Sequence, residues 1–136
     1  MKKVLVVLSL MLMSIVANSA VKNDRFHLVL EGKFISEKNV TYELYKMDEQ
    51  NKIIQECSLK GKKYFSVQVD VGARYVMKFT SESGLVKYLN IEVQTNGYLA
   101  IDIDFNNDNS ATLVYNKHYG YDLKHVEEEK IWYVSR

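Results

Sequence analysis

Apolar and polar side chains alternate with a period of two along most of the chain, in short runs separated by polar or glycine-containing clusters. Phe26, Leu28, Leu30 and Phe34 fall on one face of a first strand, and Val40, Tyr42 and Leu44 on one face of a second. After a turn at residues 48–51, Ile53, Cys57 and Leu59 line one side of a third. Phe65, Val67, Val69 and Val71 alternate with Ser66, Gln68 and Asp70, Gly72 marks a turn, and Tyr75, Met77 and Phe79 then share a face. Leu85, Leu89, Ile91 and Val93 continue the pattern. Asn96-Gly97 reads as a two-residue hairpin, answered by Leu99, Ile101, Ile103 and Phe105. Ala111, Leu113 and Tyr115 alternate once more. Parallel strands buried on both faces would read as unbroken apolar runs, so this two-faced alternation predicts antiparallel pairing. The expected fold is all-β, an antiparallel Ig-like or prealbumin-like sandwich of about seven or eight strands over residues 21–116. Residues 117–136 read as an aromatic and charged tail packing on it. Asp122 there caps one or two helical turns, and residues 131–134 return as an edge strand.

The first twenty residues break the pattern. Lys2-Lys3 precedes an apolar run from Val4 to Val16, and the segment closes on Ala17-Asn18-Ser19-Ala20, the three-part order of a secretory signal peptide. The run is shorter than the roughly 20 residues a transmembrane helix needs, so export without a membrane anchor is the expectation. Cleavage falls after Ser19 or Ala20 and leaves one domain's length of chain. It also leaves 16 basic side chains against 17 acidic ones, which removes the electrostatic case for a nucleic-acid partner. Cys57 is alone, so no intramolecular disulfide forms and the core must supply the stability. The absence of proline, with abundant Lys, Asn, Ile and Tyr, points to an A+T-rich bacterium, and with the leader the expected location is the periplasm of a Gram-negative cell or the extracellular space.

Tyr64-Phe65-x-Val67-x-Val69-x-x-Gly72-x-x-Tyr75-x-Met77-x-Phe79, followed by Gly84-Leu85-Val86-Lys87 and Ile91-x-Val93, resembles the carboxypeptidase regulatory-like (transthyretin-like) sandwich domain of exported Bacteroidetes proteins. The resemblance extends back over residues 26–34 and 40–45. Tyr64 stands where that pattern usually has Gly, and Leu85 where Tyr usually follows Gly84. The resemblance implies an accessory module for folding support or for binding carbohydrate or protein. Hydrolases related to that family carry a His/Arg site and a Tyr-Arg-Gly-Ser type C-terminus. This chain ends Trp132-Tyr133-Val134-Ser135-Arg136, so their activity does not carry over.

Candidate chemistry is sparse. Asp102, Asp104 and Asp108 place carboxylates as a calcium loop begins, but its sixth position is Asn107 and its twelfth Leu113, which excludes an EF-hand. The competing reading is the outward acidic face of a strand, with a weak surface Ca²⁺ site as the alternative. His118, Asp122 and His125 lack the pair spacing of a tetrahedral metal site. Tyr119, Tyr121, Trp132 and Tyr133 are the aromatic binding candidates, able to stack on a sugar or anchor a protein, or else to cover the sandwich core. No catalytic residue and no cofactor is expected. The expected function is a non-catalytic exported module with an envelope or extracellular protein partner. A carbohydrate- or Ca²⁺-binding module is the alternative, and a small hydrolase resting on His118 or His125 a lesser one.

Overall fold

The alternating positions fold as strands in a computed structural model that describes residues 26–106, 113–117 and 120–136, the second of these by backbone alone. The leader, Asp108, His118 and Tyr119 lie outside the described residues. The strands are β1 (His27–Ile35), β2 (Val40–Met47), β3 (Ile53–Gly61), β4 (Tyr64–Asp70), β5 (Arg74–Thr80), β6 (Val86–Val93), β7 (Gly97–Asp104), β8 (Leu113–Lys117), β9 (Asp122–Val126) and β10 (Ile131–Ser135). Six form one sheet, in the order β9-β10-β6-β5-β2-β3, and four form the other, β4-β1-β7-β8. Their inner faces bury one continuous core. The expected all-β sandwich is what the chain forms, and among the described residues no helix is long and apolar enough to cross a membrane.

Five rings hold the centre of that core. Phe65 on β4 meets Phe79 on β5 edge-on at 5.1 Å and Tyr42 on β2 at 6.0 Å. Phe34 on β1 stacks on Phe65 at 5.7 Å and meets Phe105 at 6.3 Å. Offset and edge contacts of this kind stabilise by about 0.5–1.5 kcal/mol per pair beyond area burial. Phe65 and Phe79 therefore do share the inter-sheet layer that the motif implies. Tyr75 is buried in the same core nearer one end of the sandwich, where its hydroxyl accepts a hydrogen bond from the Asp70 amide.

Pairing is mixed, not wholly antiparallel. β1 runs parallel to β7 and β10 parallel to β6. The Asn96-Gly97 hairpin does not form, because β6 belongs to the six-stranded sheet and β7 to the other. Here the chain crosses between layers, and the tail holds the crossing. Tyr121 Oη donates to Asn96 O at 3.2 Å and accepts from Tyr98 N at 3.0 Å, while Arg136 Nη2 reaches both Tyr121 Oη (2.8 Å) and Asn96 O (3.3 Å). Apolar alternation is satisfied equally by two strands side by side and by two strands face to face, so the local pattern could not separate a hairpin from an arch.

The tail also differs from its expected form. No helical turn follows Asp122; β9 and β10 make an antiparallel hairpin, with Glu127-Glu128-Glu129 in its turn, and β10 is an interior strand of the sheet. Backbone bonds from Glu129 N to Val126 O and from Lys130 N to Glu127 O close that turn, with Lys130 at φ 53°. Three solvated carboxylates suit a turn as well as a helix, and the alternation in Asp122–Val126 was too short to decide.

Candidate functional site: the open side of the sandwich

The two sheets differ in width, and the difference exposes one flank. Phe65 contacts rings on β2 and β5, so β4, the edge of the narrower sheet, lies over those two strands. Among the described residues β3 pairs only with β2, and it extends past β4 without a strand facing it. Register assigns its faces. Val40, Tyr42 and Leu44 point into the core, opposite Gly61, Leu59 and Cys57. A bulge between Leu44 and Tyr45 then leaves Glu56 unpaired and sets Ile54 opposite Lys46.

That one-residue shift changes which isoleucine faces inward. Ile53 was expected beside Cys57 and Leu59; instead it pairs with Met47 on the outer face, and Ile54 takes the inner one. The inner face of β3 thus reads Ile54, Cys57, Leu59. Cys57 packs partly against the core, but Leu59 is 46% exposed and Ile54 51%. Both β3 and β4 also present a backbone edge to solvent, the feature that lets a sheet accept another strand.

The flank's chemistry is that of a surface for contact. Burial pushes the Cys57 thiol above its ordinary pKa, and the carboxylate of Glu56 adds to the effect, so the thiolate needed for nucleophilic attack is disfavoured. At one end, Lys46 Nζ bonds Asp70 Oδ2 at 2.8 Å, and His27 Nε2 lies 3.1 Å from Asp70 Oδ1, which ties the two sheets together. The Lys46 ammonium holds the Asp70 carboxyl below its usual range, against a smaller opposing effect of burial.

The residues singled out from sequence are dispersed. Tyr121 clasps the Asn96-Gly97 crossing. Trp132 packs partly on the core, with its ring 4.7 Å from that of His125. Tyr133 donates to Glu129 and accepts from Arg74 Nη2 at 3.4 Å. The aromatic candidates therefore touch the protein itself at three different places. Asp102 lies on the outer face of β7, as its alternation with Ile101 and Ile103 predicts, but it is buried rather than solvated, and its Oδ1 accepts from Lys33 N at 3.0 Å. Asp104 Oδ1 accepts from Asn106 N at 2.9 Å in a local turn. Asp122 begins β9, and His125 Nδ1 lies 3.3 Å from Glu127. Among the described residues no three His, Cys, Asp or Glu side chains converge as metal ligands would.

The chain matches no family model and no curated protein sequence. Ile54 and Leu59 escaped the sequence reading as contact residues because the bulge at Glu56 and the unequal widths of the sheets both arise from pairing between distant segments. The local signal was the adjacent pair Ile53-Ile54, which puts one isoleucine on each face of β3 whatever the register.

Proposed function

We propose that the protein is a non-catalytic module of the periplasm or the extracellular space that takes an extended, alternately apolar segment of another protein onto the open side of its sandwich. The observation that carries this reading is the pair Ile54 and Leu59, facing inward yet half-exposed, beside the free edge of β4. A strand added to β4 would hydrogen-bond along that edge and set its inner side chains over Ile54, Cys57 and Leu59. Covering the exposed halves of the two large side chains contributes on the order of 1 kcal/mol each. Edge backbone bonds supply the remaining affinity, and the alternating pocket positions supply the selectivity. The leader's charge order and the motif of residues 64–93 support an exported accessory role.

The test is photo-crosslinking in the native cell, with the reactive group placed in turn at Leu59 and at Tyr88. Tyr88 is a control, an exposed side chain on the opposite face of the six-stranded sheet. A discrete adduct from Leu59 alone, abolished by Ile54→Lys, is the expected result. Equal labelling from both positions refutes the reading, and an adduct made of two copies of this chain replaces the foreign segment with a homodimer.

A further inference from the structure

The outer face of the four-stranded sheet carries a second feature, independent of the open flank. β1 and β7 run in register from Leu28↔Gly97 to Glu31↔Ala100 and again from Phe34↔Ile103, but the pairing lapses at Gly32 and Lys33. The two backbones approach closely there: a Cβ on Gly32 would lie 1.4 Å from Ile101 O, so only glycine fits. At the lapse, the Lys33 amide turns to Asp102 Oδ1 at 3.0 Å. A cleft of about 530 Å³ opens there, lined by Glu31, Lys33, Tyr64, Ser66, Ala100 and Asp102, and at Gly32 it reaches the core rings of Tyr42 and Phe65.

Each lining group bears on what the cleft would take. Tyr64 is 66% exposed and stands in register with Lys33 across the β1–β4 pair, so its ring forms a wall with an open apolar face. Asp102 is only 6% exposed; with Oδ1 engaged, Oδ2 is the acceptor left for a ligand's donor. Glu31 adds a second carboxylate, Ser66 a hydroxyl and Lys33 an ammonium, while Ala100, Tyr42 and Phe65 add apolar surface. Two carboxylates against one ammonium disfavour an anion. An aromatic wall beside carboxylate acceptors suits a ligand with an apolar C–H face and hydroxyl donors around its rim. A pyranose has both. Tyr98, also 66% exposed, lies on the same outer face, in register with Val29. Four residues along the strand and two strands across, it stands roughly 16 Å from Tyr64 by strand geometry, which requires a chain of sugars to reach both rings.

We propose that this cleft binds a neutral oligosaccharide, with one sugar stacked on Tyr64 and its hydroxyls donating to Asp102 and Glu31. Titration calorimetry of the purified protein tests this with maltohexaose, mannohexaose and chitohexaose, and with hexagalacturonic acid as the anionic counterpart. Binding of at least one neutral probe is expected, weakened about tenfold in Tyr64→Ala, as loss of one stacked ring predicts. Asp102→Asn retains an acceptor for the Lys33 amide and so the fold, and is expected to weaken the same probe. Both variants should melt within a few degrees of the parent protein. Failure of all three neutral probes, tighter binding of hexagalacturonic acid, or a Tyr64→Ala variant that binds like the parent would overturn the proposal.

Discussion

Replacing Gly97 with Ala tests the crossing between the sheets most directly. Gly97 has φ 116°, and a Cβ there would lie 2.1 Å from Tyr121 Oη and 2.6 Å from Arg136 Nη2. Arg136 is the far end of a flexible side chain and can move away. Tyr121 cannot do so without losing its bonds to Tyr98 N, Asn96 O and Arg136 Nη2, each with a net value of about 1 kcal/mol. Backbone strain at a non-glycine residue there adds about 1–3 kcal/mol, so Gly97→Ala should cost about 4–6 kcal/mol in all. Tyr121→Phe removes the hydroxyl and its three bonds without the backbone strain, for a cost of about 3 kcal/mol. In the double variant the clashing oxygen is already gone and its three bonds are lost only once, so the cost should fall short of the sum by about 3 kcal/mol. Urea denaturation would measure all four proteins, with fluorescence of the single tryptophan, Trp132, reporting on the tail hairpin and circular dichroism on the sheets. Costs that add to within about 0.5 kcal/mol, or a Gly97→Ala variant as stable as the parent, would refute the role of Tyr121 as the clasp.

Three further outcomes are expected. Phe65→Ala should lower stability by about 3–5 kcal/mol in the same denaturation assay, since it removes a ring that contacts Phe34, Tyr42 and Phe79 at the core's centre. His125 Nε2 is buried with no hydrogen-bond partner among the described residues, so His125→Phe should be neutral or stabilise the protein by up to about 1 kcal/mol; a loss of more than about 1 kcal/mol would mean the nitrogen has an essential contact. The Asp70 carboxyl sits below its ordinary 3.8 in the folded state because of Lys46, so its contribution is complete above that pH and is lost as the pH falls through the lowered folded value. Lys46, raised above its ordinary 10.5 by the hydrogen bond to Asp70, contributes fully below that value and loses its contribution as the pH rises through the folded one. Asp70→Asn should flatten the stability profile at both extremes, and unchanged slopes in a pH series of melting temperatures would count against the pair.

Much of the sandwich was legible in local alternation. Leu28 and Leu30, Val40 to Leu44, Phe65 to Val69, Tyr75 to Phe79 and Leu89 to Val93 all bury the face that a period of two assigns them. Errors arose where alternation has two physical solutions. At Asn96-Gly97 a hairpin and a cross-layer arch bury the same side chains, and Tyr121 and Arg136, far along the chain, stabilise the arch. At Ile53-Ile54 one unpaired residue inverts the faces. The candidate site was less legible still, because exposure of Ile54 and Leu59 depends on how far one sheet extends past the other.

By itself the sequence determined that this chain forms strands, which side of most of them is apolar, and that the core rests on packing without disulfides; these follow from side-chain spacing and residue type. Only the tertiary structure decided which strands are neighbours, the two parallel pairings, the incorporation of the tail as a hairpin, and the cleft beside Gly32. Those features depend on contacts between residues far apart in the chain, and a periodic pattern carries no record of its partners.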